Sequence, residues 1–509
     1  MRPVLNRAES RALDEHASAA CGVPSLLLMD AAGRGAAEWL IRQLNGARAT
    51  LILCGPGNNG GDGWVVARRL LVLGRPVRVM SSVAPALLMG DAARMFAAYA
   101  GCGGAWERLE SAAAFAAALL GAELVVDALF GTGLSRSLTA LDAEIVGVLN
   151  ASGTRVVALD LPSGLDADTG GIHGVCVRAT ETITFGHPKL GLLTPNGMAF
   201  GGRFEVVDIG IPPGEWHAVG QSARCLEASD VRDWLVSVPD PKHKGEAGRV
   251  LVVAGSKGTL GAARLTTHAA LRAGAGLVTL GARPECAAAL ESTAWEVMLK
   301  PLKLEAVQAS LGAALTAADS LAIGPGLGLD AEALGIVREL VLTHPGKIVV
   351  DADALTHFAG AAEQLAAARG QLLLTPHPAE AARLLSVTTA QIEADRFDSV
   401  RRLADATQAC VLLKGVCTLI CSPGCVPIVN PRGASTLAVA GSGDVLTGII
   451  AALVCHLPVE SALAAAAWIH GVAGERAAAK GRGALAREIA DYIPGVVHDI
   501  RTGGGSILQ

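Results

Sequence analysis

TLILCGPGNNGGDGWVVARRLLVL, residues 50–73, decides the fold class. Thr50 to Cys54 is a strand-length run without a charged residue, as in a strand covered on both faces. It stops at Cys54-Gly55-Pro56-Gly57-Asn58-Asn59-Gly60-Gly61-Asp62-Gly63, which reads as a Gly-rich loop. Residues 65–73 then read as a helix. Working outward, strand-like runs recur at 77–80, 124–127, 156–159, 183–185 and 204–208, separated by Ala-rich helical stretches. Strands alternating with helices predict βαβ units, a parallel sheet and helices on both of its faces. In such a sheet, ligands collect outside the carboxyl ends of the strands.

The chain has 509 residues, enough for two or three domains. Hydrophobic residues at 51% and charged residues at 17% describe a folded α/β enzyme rather than a disordered or coiled-coil chain. The 42 basic and 47 acidic residues leave a net charge of −5, which offers no electrostatic basis for nucleic acid or an anionic membrane as partner. The amino-terminal stretch does not read as a secretory signal, and no apolar run reaches membrane-spanning length. Eleven cysteines in no framework spacing read as reduced thiols in a cytoplasmic protein. Cys410, Cys417, Cys421 and Cys425 lie in what reads as two strands around a turn, without a CxxC pair, so packing is favoured there over metal binding.

Turn-rich breaks at 210–214 and 238–245 separate two alternating halves, and the strand at 249–254 restarts the pattern. The halves share no motif, which predicts a fusion of different domains with a boundary near 215–230. The tail from Gly503 is expected to fray. His16, His268 and His470, in Ala-rich helical stretches, read as satisfied histidines, and Trp39, Trp234 and Trp468 as packing residues.

Chemistry in the second half centres on Ala440-Gly441-Ser442-Gly443-Asp444, which opens an apolar helix over 445–454. Small residues let backbone amides approach a phosphate, and the helix start aims N–H groups and partial positive charge at it. Asp444 stands where a base can take the proton of a hydroxyl attacking phosphorus. A plain Gly-Ser turn with an Asp cap would look the same in isolation. Lys414-Gly415-Val416-Cys417-Thr418 follows a strand and suits a nucleotide phosphate, although a hairpin with an exposed Lys is the simpler reading of that segment alone. Gly324-Pro325-Gly326-Leu327-Gly328, Asp351-Ala352-Asp353-Ala354-Leu355 and Thr375-Pro376-His377-Pro378-Ala379-Glu380 each follow an apolar run, which predicts that all three share one sheet edge.

In the first half, the loop at 54–63 has neither the GxGxxG order nor a GK[ST] ending. Two more strand ends accompany it: Asp127, leading into Gly131-Thr132-Gly133-Leu134, and Asp160, leading into Leu161-Pro162-Ser163-Gly164. Asn59, Asp127 and Ser163 form a possible oxygen site for a hard monovalent cation, although oxygen ligands alone do not identify the ion.

The order Lys242-His243-Lys244-Gly245, Gly255-Ser256, GPGLG, DADAL, TPHPAE, KGVCT, AGSGD closely resembles the carbohydrate-kinase-like domain of NAD(P)H-hydrate dehydratases. NNGGDG, DALFGTGL and DLPSGLDADTG resemble the NAD(P)H-hydrate epimerase domain. The resemblance implies an N-terminal Rossmann-like three-layer domain over 1–218 and a ribokinase-like α/β domain over 219–509. It implies epimerisation of R and S hydrates of NADH or NADPH, then ADP-dependent dehydration of the S form, releasing AMP and phosphate. For the epimerase it implies substrate contacts from Asn58, Asn59, Gly60, Gly61, Asp62, from Gly131, Thr132, Gly133, Leu134, Ser135, Arg136, Ser137, and from Asp160 as acid/base. Potassium would sit on Asn59, Asp127 and Ser163. For the dehydratase it implies substrate near Ala262, Gly326, His377 and Asp444, with Asp444 as base. The nucleotide would lie on Lys414, Gly415, Val416, Cys417, Thr418 and Gly443, with Mg2+ and ADP as expected companions. Ala379 stands where the family pattern often has Gly. A homo-oligomer acting only on small molecules is expected. A vitamin-precursor type of small-molecule kinase, releasing a stable phosphate ester, is the alternative enzyme. A non-catalytic binding role for the first domain is the alternative there, and the retained Asp160 and complete NNGGD segment count against it.

Overall fold

The computed structural model describes residues 1–43, 49–291, 296–303 and 305–504, so the end of the tail expected to fray lies outside the described residues. The chain divides into two compact units, Arg2–Ala223 and Arg224–Gln509.

The first unit is built on a parallel sheet ordered Glu107–Arg108, Val77–Ser81, Thr50–Cys54, Leu124–Ala128, Arg155–Leu159, Glu181–Phe185, Arg203–Val207. The chain leaves Thr50–Cys54 toward one edge and returns on the other side of it through Leu124–Ala128. These two central strands therefore flank the switch point, where a crevice opens at their carboxyl ends. Both are buried throughout, which explains their unbroken apolar character. Alternate side chains serve opposite layers. Ile52 and Val126 pack with Trp39, Trp64 and Tyr99, whereas Leu51, Leu53 and Val125 pack with Phe115 and Ile145.

The Asn-Gly segment is not a loop, because a helix runs from Asn58 to Val72 and includes it. Gly57 is the extended N-cap, and the glycines that follow are required by contact. A Cβ on Gly60 would lie 2.0 Å from the Gly55 carbonyl oxygen, and one on Gly63 would lie 2.7 Å from Ala128 Cβ. The helix start is thus pressed against the strand ends, with its free N–H groups facing the crevice.

The second unit carries a longer sheet. Its core order is Ile428–Asn430, Thr418–Cys421, Cys410–Leu413, Gln371–Leu374, Lys347–Val350, Ser320–Ile323, Arg249–Val253, Leu277–Ala282, Val297–Pro301. It is parallel from Val297–Pro301 to Cys410–Leu413, and the next two strands are antiparallel. Cys410 to Cys425 span two antiparallel strands around a turn, as expected, and a third strand, Ile428–Asn430, follows them. All eleven cysteines are free. The helix Ser442–Leu453 packs on Leu260–Arg272, and its interior contributes Val445, Ile449 and Ile450 to the main core. A Cβ on Gly448 would lie 2.2 Å from the Thr266 carbonyl oxygen, so these helices touch backbone to backbone there. The architecture is the expected one: two α/β units, each with a sheet between helices. Among the described residues, no helix is long and apolar enough to cross a membrane.

Candidate active sites

In the first unit a cavity of about 510 Å³ opens at the switch point. Asn58, Asn59, Asp62, Gly131 to Arg136 and Asp160 line it, so those sequence-predicted residues converge as expected. Gly60, Gly61 and Ser137 do not line it. Gly60 and Gly61 instead allow close packing, with a Gly61 Cβ falling 2.5 Å from Met29 Sδ.

Asp160 ends its strand in a left-handed conformation, with φ 63°, uncommon for a residue with a Cβ. The turn directs its carboxylate into a cluster of donors. Lys189 Nζ is 2.6 Å from Oδ1, the Thr132 amide donates to Oδ2 at 3.1 Å, and the Thr132 hydroxyl donates to the same oxygen. Lys189 is itself buried, and also donates to the Phe185 carbonyl at 2.8 Å and the Thr184 hydroxyl at 3.2 Å. Burial works to raise the Asp160 pKa, but the Lys189 charge and these hydrogen bonds outweigh it and hold the carboxyl below its usual value. Two neighbours behave oppositely. Burial, with the repulsion of Asp160 and Asp14, pushes Asp62 well above the normal range. Asp14, on the helix Arg7–Ala19, is raised to about 6, chiefly by burial and against the pull of Lys189. Asp14 retains access to solvent through the cavity, yet the walls around it exclude enough water to disfavour its charge. The cavity thus holds one carboxylate stabilised by its neighbours and two carboxyl groups with raised pKa values, Asp62 the more strongly.

Beside it, Asp127 is fully buried, and accepts hydrogen bonds from the Ser163 amide at 2.8 Å, the Ser163 hydroxyl at 2.6 Å and the Leu129 amide at 3.2 Å. Burial nevertheless raises its pKa to about 6. Asn59 is buried with neither its amide oxygen nor its amide nitrogen partnered. Such orphaned atoms are rare and call for a ligand.

In the second unit, four adjacent parallel strands end in GPGLG, DADAL, TPHPAE and KGVCT, so the predicted shared edge exists. Lys414 is not the exposed hairpin lysine of the simpler reading. Its ammonium lies 2.8 Å from Asp351 and 3.8 Å from Glu380, both buried. Asp351 also accepts from the Thr447 hydroxyl at 2.6 Å. Burial opposes charge on both members, yet their mutual attraction prevails, holding Asp351 low and Lys414 high. Gly443 sits beside this pair, as a Cβ there would be 3.5 Å from Lys414 Nζ. Asp444 occupies the first turn of Ser442–Leu453, after Gly441 in the left-handed region. Burial first, then the Asp351 charge, raises its pKa to about 6, near the operating pH of a general base.

Gly326 and Ala262 lie side by side, since a Cβ on Gly326 would be 3.1 Å from Ala262 Cβ and 2.8 Å from the Thr259 carbonyl. His377 caps the helix Pro378–Leu385, its Nδ1 accepting from the Ala379 and Glu380 amides at 3.1 and 3.4 Å. Its other ring nitrogen, Nε2, lies 3.5 Å from a Glu380 carboxylate oxygen. Cys417 has φ 53°, which bends the segment Lys414 to Thr418 sharply. His470 is buried and shares a hydrogen bond with the Ser442 hydroxyl, and burial lowers it to about 4, in keeping with a neutral packing histidine.

Sequence reading missed Asp14 and Lys189. A lysine just past the strand Glu181–Phe185 is the same signal that exposed Lys414, and would have found Lys189. Nothing local marks Asp14, an acidic residue on an amphipathic helix.

Both halves of the chain match known families. Residues 250–495 match the family model for NAD(P)H-hydrate dehydratase, and residues 25–191 match that for the YjeF-related protein N-terminus. The bifunctional NAD(P)H-hydrate repair enzyme Nnr of Moorella thermoacetica is 42% identical, covering 98% of this chain and 97% of that one. Its Escherichia coli counterpart is 35% identical over 97% and 93%. The ADP/ATP-dependent NAD(P)H-hydrate dehydratase of Bacillus subtilis, co-crystallised with ATP and Mg2+, is 27% identical, covering 55% of this chain and 100% of that one with a TM-score of 0.48. The chain therefore belongs to the family of bifunctional NAD(P)H-hydrate repair enzymes, in which an epimerase domain is joined to a dehydratase domain.

Proposed function

We propose that residues 1–218 interconvert the R and S hydrates in the cavity at Asp160, and that residues 219–509 dehydrate the S form with ADP at Asp444. The observation that carries the second half is the joint placement of Lys414, Gly443 and Asp444. A half-buried cation, an open backbone and a carboxyl of pKa about 6 meet at one helix start. Asp444 takes the proton of the hydrate hydroxyl as its oxygen attacks the β-phosphorus of ADP, and AMP departs. Hydroxide is a poor leaving group and phosphate a good one. Loss of phosphate from the ring carbon, with a proton from the neighbouring carbon, then restores the dihydropyridine. The segment Lys414 to Thr418 would hold the nucleotide phosphates, and Ala262, Gly326 and His377 the hydrate.

Potassium fits the first domain. Asn59 Oδ1 is orphaned, and Asp127 and Ser163 supply further oxygens in a buried setting. Bound there, the ion would supply positive charge that keeps Asp127 ionised and steadies the loop after it. For Mg2+, the buried carboxylates of Asp351 and Glu380 are engaged by Lys414, so among the described residues no open cage is ready-made. Magnesium would arrive on the nucleotide phosphates. Free thiols and a chemistry confined to soluble nucleotides support a cytoplasmic setting, and a homo-oligomer remains the expected assembly.

The test is to incubate the protein with mixed R and S NADPH hydrates and ADP, following reduced-nicotinamide absorbance. Complete recovery of NADPH is expected. Asp160→Ala should stop at the S fraction, and Asp444→Asn should recover almost none. A stable phosphate ester in place of NADPH would return the second domain to the small-molecule kinases. Unchanged R-hydrate repair by Asp160→Ala would remove the epimerase assignment of that residue.

A further inference from the structure

Epimerising a hydrate carbon requires that the hydroxyl leave one face and water add to the other. One group must give a proton while another takes one. A single carboxylate held ionised cannot do both at once. A proton donor is therefore required elsewhere on the cavity wall.

Three acidic side chains line the cavity besides Asp160: Asp14, Asp62 and Asp91. Asp91 is engaged, accepting from the Ser25 hydroxyl at 2.5 Å and from Arg94 at 3.2 Å. Asp62 lies in the interior of the helix Asn58–Val72 and is buried. Asp14 differs from both. It projects from a separate element, the helix Arg7–Ala19, it is open to the cavity, and among the described residues no hydrogen bond occupies its carboxyl. It is close enough to Asp160 and Lys189 for both charges to act on it. Lys189, in turn, is fixed on Asp160 by the 2.6 Å contact and anchored to the Phe185 carbonyl.

We propose that Asp14 is a second catalytic residue of the epimerase cavity, donating the proton that Asp160 cannot, and that Lys189 is the positioning residue that keeps the two roles apart. This rests on the epimerase reading of the domain. The Asp14 proton passes to the departing hydroxyl as the C–O bond breaks, and its electron pair leaves with oxygen as water. The ring nitrogen lone pair forms a C=N bond to the same carbon. A second water adds from the opposite face, forming the new C–O bond and giving a proton to Asp160. Solvent returns that proton to Asp14. One water leaves and one enters, and nothing is oxidised or reduced. The raised pKa of Asp14 and the lowered one of Asp160 match this division, since paired carboxyl groups pushed apart in pKa mark acid and base. The groups that set the Asp14 titration are Lys189, Asp160 and Glu15, while Asp62, which Asp14 itself raises, and Asp91, Arg7, Arg11, Arg136 and His187 complete the charged and titratable lining.

The experiment follows separated R and S hydrates by chromatography without nucleotide, so that the dehydratase domain is silent. Solvent is enriched in H2(18)O. Wild type should epimerise with uptake of label at the hydroxyl. Asp14→Asn should lower kcat at least about 100-fold, the size expected for a lost general acid, with little change in KM. It should also lose the alkaline limb that the wild-type rate shows above pH of about 6, the value of the Asp14 carboxyl. Lys189→Met should shift the acidic limb upward, and Lys189→Arg should restore it in part. Dehydration of the S hydrate with ADP and the melting temperature serve as controls for folding. An Asp14→Asn enzyme within about threefold of wild type, or one that keeps the alkaline limb, overturns the proposal. Loss of that limb in Asp62→Asn instead moves the acid to Asp62 and overturns it equally. Epimerisation without label would refute the dehydration–rehydration step. A wild-type protein that does not epimerise removes the underlying reading instead.

Discussion

Replacing Lys414 by Met tests whether the second domain is organised around an ion pair. The change keeps the length of the side chain and removes its charge. Asp351, whose side chain is 1% exposed, would then keep the Thr447 hydroxyl at 2.6 Å but lose the ammonium at 2.8 Å. Removing one member of a buried pair usually costs about 3–5 kcal/mol, because the other charge remains without compensation. Lys414 retains 19% side-chain exposure, so water can enter in its place and the lower end applies. About 3 kcal/mol corresponds to a loss of roughly 150-fold in the folded-to-unfolded ratio.

The sign with pH follows from the two shifts. Asp351 is lowered when folded, so its contribution is present above 3.8 and is lost as pH falls through its lower folded value. Lys414 is raised, so its contribution is present below 10.5 and is lost as pH rises beyond that. The wild-type pair therefore holds throughout the neutral range. In Lys414→Met, Asp351 moves above 3.8 and relieves its burial by taking a proton. The gap between variant and wild type should narrow from pH 8 to pH 5. Urea unfolding of the full chain at both pH values, read on the transition of the second domain, measures this. A loss below about 1 kcal/mol, or one of equal size at both pH values, would falsify the view that a buried charge pair organises this edge. Lys414→Arg should lose less stability than Met.

Three other outcomes follow from particular contacts. Gly60→Ala would place a Cβ 2.0 Å from the Gly55 carbonyl, an immovable backbone atom, so the first domain should lose about 1–3 kcal/mol together with epimerase activity, as thermal unfolding and the chromatographic assay would show. Exchanging potassium for choline should slow epimerisation and leave ADP-dependent dehydration of the S hydrate unchanged, and Asp127→Asn should weaken that dependence on the cation. His470, lowered to about 4 by burial, contributes stability that is present above 6.5 and lost as pH falls toward 4. His470→Gln should therefore flatten the stability of the second domain over that interval, measured by urea unfolding at stepped pH.

How much of this was legible beforehand differs between backbone and side chains. Runs such as Leu51 to Cys54 and Ile348 to Val350 are apolar on both faces, a pattern that few structures other than a covered parallel strand satisfy. Glycines and short polar residues at the ends of such runs mark where a chain must turn and where a ligand can approach backbone. Those local constraints, read with the order of the motifs, are enough for the two α/β units, for the meeting of Asn59 with Asp160 in the first and for that of Lys414 with the start of the Asp444 helix in the second. The start of the helix at Asn58 was misread because glycines argue against a helix by propensity. Tertiary contact overrode that preference, since only residues without a Cβ fit between the helix and Gly55.

The sequence by itself therefore determined the alternation of strands and helices, the strand-end motifs and the family they define. Tertiary structure alone decided the charges. Lys189 meets Asp160 from just past the next strand of its sheet, and Lys414 meets Asp351 across 63 residues and one intervening strand, because of the order in which the strands are laid down. Asp14 and Asp160 carry the same functional group, yet the cavity walls raise the pKa of one, a solvent-reachable side chain, to about 6, and a lysine 2.6 Å away holds the other below its usual value. A pKa reflects the field and the water around a group, and neither exists until the chain has folded.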